Sequence, residues 1–389
     1  MFLLLPLVVA AAAAAYAVPD PNVARIVDEV AAQFVAAKGR GMEGHESPAL
    51  KQAARAYKAR VSSLPMPWTR RDDAFAEPLI PNIVHWAWRS GDADWTLALS
   101  VVMAKVVQNP AKLLLHSGPA RQTYASPSTE AGVEALRCIE AAGAEEVRHE
   151  TDPSPEGTHP WAEVLGRKNK LSKQTFAHVS DVMRLFTIVQ YGGIYLDRDA
   201  FLHRSVDSYR FRYPAVLGLD PETFEGDRDV NFGSFMAAKN STFFRLLWDG
   251  MGDPGYRNLS YCVTWGGWAH DSCRKSYALA IKRPDLVHVD EGLYQFPFPG
   301  KSAARGGGGA GKTPPALLAK ARTHEILHMS GFEWHSLRTA QLRAEPSIFG
   351  TIIWPNVLAN KDSHPALQPC LAWLEAKLRE RGYLGRGPP

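Results

Sequence analysis

The sequence predicts an α/β domain with a mostly parallel sheet, and three observations predict it. From residue 79 onward, short runs rich in β-branched and aromatic residues alternate with longer helix-like runs. One of those helix-like runs ends in Gly-Gly and passes at once into a short apolar strand, "YGGIYL" at 191–196. The chain's 389 residues, 46% hydrophobic and 22% charged, are enough for one large or two ordinary domains with a buried core.

The first element is not part of that domain. Phe2 to Val18 is apolar throughout, and "AYA" at 15–17 has the small-x-small form of a cleavage site. The run is short for a membrane span of roughly 20 residues, lacks a basic flank and contains Pro6. Residues 1–17 therefore read as a cleaved secretory signal, with a signal anchor as the second reading. Both send the rest of the chain into the secretory lumen, the Golgi or the exterior. Residues 18–74 read as a stem. Asp28 to Ala37 has helical character there, but "GRGMEGHESP" and "SSLPMPW" break the pattern. In an oxidising lumen disulfides form, and Cys262 with Cys273 is the nearest local pair among the four cysteines. Asn240-Ser-Thr and Asn258-Leu-Ser have the form of glycosylation acceptors.

The main domain, 75–375, opens with "NIVHWAW" at 82–88, a buried strand. "DWTLALSVVMAKVVQN" follows as a helix and "AKLLLHS" as a second strand. "TEAGVEALRCIEAAGA" is a helix closed at Gly143, and "EEVRHE" is a short strand. Next comes "SDVMRLFTIVQYGGIYLDRDA". Ser180 is placed as an N-cap. Val182, Leu185, Phe186 and Val189 follow at helical spacing, and Gly192 sits where a helix-ending glycine belongs. Ile194-Tyr195-Leu196 is then a strand whose carboxyl end carries Asp197 and Asp199. Open α/β sheets put their ligand crevice at that end.

The two aspartates flank Arg198, so in an extended segment their side chains leave on one side. Adjacent carboxylates repel unless a positive charge sits between them. A hard divalent cation is the natural occupant, because Mg²⁺ or Mn²⁺ takes one or two carboxylates and fills its shell with water and phosphate oxygens. A bare D-x-D is a weak signal and fits a solvated charged loop equally well. Its helix-Gly-Gly-strand setting is what makes it specific. The net charge of +4 gives no electrostatic case for nucleic acid.

With these residues in view, "SDVMRLFTIVQYGGIYLDRD" closely resembles the sugar-binding D-x-D region of glycosyltransferase family 32. That family includes Golgi α-mannosyltransferases and α-1,4-galactosyltransferase-like enzymes. Ser180, Asp181, Arg184, Gly192, Gly193, Tyr195, Asp197 and Asp199 match its pattern. "IPNIVHWAW", containing His85 and Trp88, is similar to the family's first strand, which passes the nucleotide. "DVNFGSFMAAKNSTFFRLLW" resembles its Asn-containing strand and following helix, and "HMSGFEWHS" loosely resembles a C-terminal His-to-Trp segment. The resemblance implies a Rossmann-like GT-A domain and retaining transfer of a hexose from a GDP- or UDP-sugar to a glycan or glycolipid acceptor. It implies Mn²⁺ or Mg²⁺ held by Asp199, with Asp197 on the ribose, sugar or metal. Asp181 and Arg184 would hold donor-sugar hydroxyls, with Tyr195 beside them. Asn231 would face donor or acceptor, or equally serve as a turn residue. His328 would touch the metal or diphosphate, and Trp334 would cover the sugar or pack in the core. No nucleophile is singled out, Asp229 included.

Three other motifs compete. "GGGGAGKT" at 306–313 fits a phosphate-binding loop but lacks the strand before it, and Pro314-Pro315 replace the helix after it. "HEILH" at 324–328 fits a zinc peptidase if it is helical, with Glu325 as general base. Its third histidine is missing, however: Trp334 stands where the extended motif requires it. A strand over "EILHM" would undo the pairing of the two histidines. A D-x-D after an apolar strand also opens haloacid-dehalogenase-type phosphatases, but those continue with Thr or Val where this chain has Phe201.

Overall fold

The computed structural model describes residues 20–38, a few positions between 52 and 64, and residues 73–88, 92–117, 127–149, 174–220, 229–251, 275–290, 292–295, 315–329 and 347–384. The apolar N-terminal segment, Cys262, Cys273, Asn258, the glycine-rich tract and Trp334 lie outside these residues. In chain order the elements are α1 (Pro21–Lys38), β1 (Ile83–Trp88), α2 (Trp95–Gln108), β2 (Lys112–Ser117), α3 (Glu130–Ala141), β3 (Ala144–Arg148) and α4 (Gln174–Tyr191). Then come β4 (Gly193–Leu196), β5 (Ala200–Leu202), α5 (Asp207–Arg210), β6 (Ala215–Asp220), β7 (Asp229–Ala237), α6 (Thr242–Met251), α7 (Lys275–Lys282) and β8 (His288–Asp290). The last are β9 (Leu293–Gln295), α8 (Pro315–Thr323), β10 (Ile326–His328), a π-helical turn (Phe349–Ile353), α9 (Trp354–Asn360) and α10 (Gln368–Glu380). They build the mostly parallel, helix-flanked α/β sheet that the sequence predicts, with seven strands. No helix among the described residues is long and apolar enough to cross a membrane.

The chain divides into two compact units, one of Met1–Pro81, Asp152–Gly193 and Asp207–Asp290, the other of Asn82–Thr151, Ile194–Val206 and Glu291–Pro389. In the second unit, β1 runs parallel to β2 from Ile83↔Lys112 to Trp88↔Ser117, and β2 parallel to β3 from Leu113↔Ala144 to Ser117↔Arg148. β4 lies parallel on the other side of β1, with Val84 opposite Ile194 and His85 opposite Tyr195. Strands covered on both faces read as continuous apolar runs, which is why "NIVHWAW" and "KLLLHS" show little alternation. α2 is buried nearly all round. Its N-terminus is closed by the Asp94 carboxylate, which accepts from the Thr96 and Leu97 N–H groups at 3.1 and 2.9 Å. Asn109 ends it in the left-handed region, φ 42°.

The same unit carries a second, three-stranded sheet in which β10 pairs antiparallel with β5 and parallel with β9. Phe201 of β5 packs edge-on against Phe349 at 5.6 Å, and Phe349 against Tyr383 at 4.8 Å. Below β5 a buried polar relay fixes the backbone: Trp86 Nε1 donates to Ser100 Oγ at 2.9 Å, and Ser100 Oγ donates to the Ala200 carbonyl at 2.7 Å. Neither polar side chain reaches water, so loss of one partner would strand the other at about 1–3 kcal/mol.

In the first unit, β6 pairs antiparallel with β7 and parallel with β8, with a register shift at Leu217/Gly218. Phe232, Phe235 and Phe244 stack in a row at 4.7 and 5.0 Å. α1 begins at Pro21, earlier than the sequence pattern indicates, and the Asp20 carboxylate accepts from the Asn22 N–H at 2.8 Å. α4 buries Leu185, Ile188 and Val189. It also starts earlier than expected, at Gln174, so Ser180 is an interior residue and not an N-cap. Nothing in "QTFAHV" breaks a helix, and the Ser180 hydroxyl accepts from Arg184 Nη2 at 3.0 Å. The expected C-terminus holds: Gly192 has φ +66° and donates its N–H to Ile188 at 2.9 Å. A Cβ there would stand 2.5 Å from the Lys239 nitrogen, so only glycine fits.

Candidate functional site

β4 delivers the acidic motif, and a tight turn gathers it. The Ala200 N–H donates back to the Asp197 carbonyl at 2.9 Å, reversing the chain between β4 and β5. The third member comes from far along the sequence. Antiparallel pairing sets His328 opposite Ala200, and the Met329 N–H donates to the Asp199 carbonyl at 2.9 Å. His328 Nε2 therefore stands 3.3 Å from Asp199 Oδ1 and 3.8 Å from Asp197 Oδ2. One ligand atom from each of the three residues lies within 4.8 Å of the others, the sole such group of metal-binding side chains among the described residues. Asp199 and His328 are buried and Asp197 is half-buried. The Asp199 carboxylate is thus a covered one, because β10 pairs alongside β5 next to it.

The surroundings orient each group. The Tyr195 hydroxyl donates to Asp197 Oδ1 at 2.8 Å, which leaves Oδ2 on the side of His328. Tyr195 itself is 1% exposed, so its ring is held by the core. Arg198, between the aspartates, reaches the helix cap: its Nη1 donates to Asp94 Oδ2 at 2.9 Å while Asp94 Oδ1 closes α2. The cation nearest in sequence to both carboxylates is thereby engaged by the helix cap. Two carboxylate oxygens and an imidazole nitrogen at this spacing suit a divalent ion with mixed oxygen and nitrogen preference. The donor set fits a divalent metal of the kind expected from the sequence.

"HEILH" has no zincin geometry. His324 follows the end of α8, and Ile326–His328 is strand, so the two histidines do not share a helix. Only His328 joins the cluster.

A row of histidines lies on the sheet face beside this motif, and sequence reasoning noticed only its first member. His85 Nδ1 and His116 Nε2 are 2.9 Å apart, as are His116 Nδ1 and His149 Nε2. His85 and His116 are fully buried. Burial first, then the neighbouring imidazoles His85 and His149, hold His116 well below the ordinary histidine range. Burial lowers His149 as well. His116 is therefore neutral at pH 7 and has a single N–H, so its two hydrogen bonds run in one direction along the row. His85 occupies the β1 position opposite Tyr195, so both side chains stand on one face. Trp88 is buried at the end of β1.

The other predicted residues belong to the first unit. Asp181 and Arg184 form a buried ion pair at 3.1 Å one turn apart on α4. Arg184 Nη1 also donates to the Phe232 carbonyl at 2.6 Å and lies over that ring at 5.8 Å. The Asn231 side chain accepts from the Gly233 N–H at 2.9 Å and donates to Ser234 Oγ at 3.1 Å. Asn231 lies within β7, and both of these bonds stay within that strand. Asp229 begins β7.

Comparison with known proteins agrees with the central motif. Residues 148–215 match the family described as "Glycosyltransferase sugar-binding region containing DXD motif". No curated protein matches the chain. Solved structures with a similar course include PaToxG glycosyltransferase (16% identity, 69% of this chain and 89% of that one, TM-score 0.32). Mouse xyloside xylosyltransferase 1 has 14% identity over 64% of this chain and 97% of that one, with a TM-score of 0.35. GlyE of Streptococcus pneumoniae has 10% identity over 80% and 66%, also with a TM-score of 0.35. Likeness this distant carries no functional argument, and the segment match does. The chain is a glycosyltransferase, and the turn after β4 lies in its D-x-D sugar-binding region.

Proposed function

We propose that this glycosyltransferase is metal-dependent and retaining, and moves a hexose from a GDP- or UDP-sugar to a glycan or glycolipid in the secretory lumen. The observation that supports it best is the convergence of Asp197, Asp199 and His328 inside the matched region. The metal, Mn²⁺ or Mg²⁺, would be held by these three side chains and would neutralise charge on the departing diphosphate. The chain's own groups do the rest. Tyr195 keeps Asp197 turned toward the site. The Asp94 carboxylate holds Arg198 at the α2 cap. Asp181 and Arg184 offer a carboxylate and a guanidinium for sugar hydroxyls. Attack of the acceptor from the face the diphosphate leaves would retain configuration. The apolar run at 2–18 and its "AYA" site support entry into the secretory pathway, and the exposed Asn240 supports glycosylation there.

The test is thermal stabilisation of the protein over a panel of nucleotide sugars, with and without Mn²⁺. A ligand that binds only the folded state raises its melting temperature. One diphosphate sugar should do so only with Mn²⁺, and Asp199→Asn should lose the effect while keeping the fold. Stabilisation by a nucleotide sugar that needs neither metal nor Asp199 would defeat the metal assignment.

A further inference from the structure

Cys138 and Cys370 are free thiols in the structure, both buried, at 2% and 6% exposure. Cys138 is on the inner face of α3, and Cys370 is in the first turn of α10, which packs on α3. The two thiols are hydrogen-bonded to each other. Two cysteines brought side by side from opposite ends of a domain are uncommon by accident, and a small apolar residue would fill either position as well. We propose that Cys138 and Cys370 are the two halves of an intrachain disulfide that fastens the C-terminal helix α10 to α3.

Position along the chain sets the order of events. Cys370 lies near the chain's end, in the first turn of a helix that can lift by local opening, so it meets the oxidant first. Its thiolate attacks a sulfur of a disulfide oxidant, expels one thiol and leaves a mixed disulfide. Cys138 then loses its proton, attacks the Cys370 sulfur and expels the second thiol. Two electrons pass from the protein thiols to the oxidant, and the released thiols take up the protons. Closing residues 138 and 370 into one covalent loop restricts the unfolded chain far more than a local pair such as Cys262 and Cys273 would.

The experiment uses the full chain with Cys262→Ser and Cys273→Ser, incubated folded with oxidised glutathione. Both remaining thiols should become unreactive to an alkylating label under denaturing conditions. Peptides containing 138 and 370 should run linked in a non-reducing mass map, and the melting temperature should rise by several degrees and fall back with dithiothreitol. Persistence of both thiols, or separate glutathione adducts on each, would overturn the proposal. If that variant does not fold, the non-reducing map of the wild-type chain decides instead. A 138–370 link supports the proposal. Free thiols at both positions after oxidation refute it.

Discussion

Replacing Tyr195 by Phe tests the site with a single atom. The ring is 1% exposed and stays packed, so the change removes only the hydroxyl that donates to Asp197 Oδ1 at 2.8 Å. A hydrogen bond to a charged group contributes about 1.5–3 kcal/mol. Asp197 is half-buried, so water recovers part of that. A net loss of about 1.4 kcal/mol corresponds to a tenfold change in an equilibrium constant, at the low end of what loss of an outer-shell partner costs a metal site. Calorimetric titration of Mn²⁺ into Y195F should therefore show affinity about tenfold weaker, with kcat at saturating Mn²⁺ nearly unchanged and the melting temperature within a degree or so of wild type. The reading of Tyr195 as a sugar-contacting residue predicts the opposite split: unchanged Mn²⁺ affinity and a raised donor KM. That result would refute the orienting role derived from the geometry.

Three further outcomes follow from other parts of the chain. Gly192→Ala places a Cβ at φ +66° and 2.5 Å from a backbone nitrogen, so unfolding free energy should drop by about 2 kcal/mol or more in a denaturant titration; an unchanged midpoint would contradict it. His116 titrates well below its ordinary value of 6.5, so below pH 6.5 the unfolded chain takes up a proton that the folded chain refuses. Stability is complete above that pH and should fall with acidification by about 1.4 kcal/mol per pH unit for this group, and His116→Phe should flatten that slope. Asp94→Ala removes the α2 cap and one partner of Arg198, and should cost about 1–2 kcal/mol while making Mn²⁺ binding salt-sensitive through the changed field of Arg198; insensitivity to salt would remove Arg198 from the account.

What the sequence determined by itself was local. α4, its glycine ending, β4 and the two aspartates were legible because helical period, left-handed glycine and strand length are all written within about thirty residues. The start of α4 was misplaced because a serine that resembles a cap was spent on Arg184 instead. The role of "HEILH" could not be read either, since five residues fit a helix or a strand equally well and only pairing with β5 decided for strand. Everything that converges was settled by tertiary structure. His328 reached Asp199 through an antiparallel register, His116 and His149 joined His85 through a parallel one, and Cys370 met Cys138 through helix packing. Those contacts join residues whose separation along the chain carries no periodic signal. Burial of the sheet faces and pairing of the strand edges bring them together, and both depend on the whole chain at once.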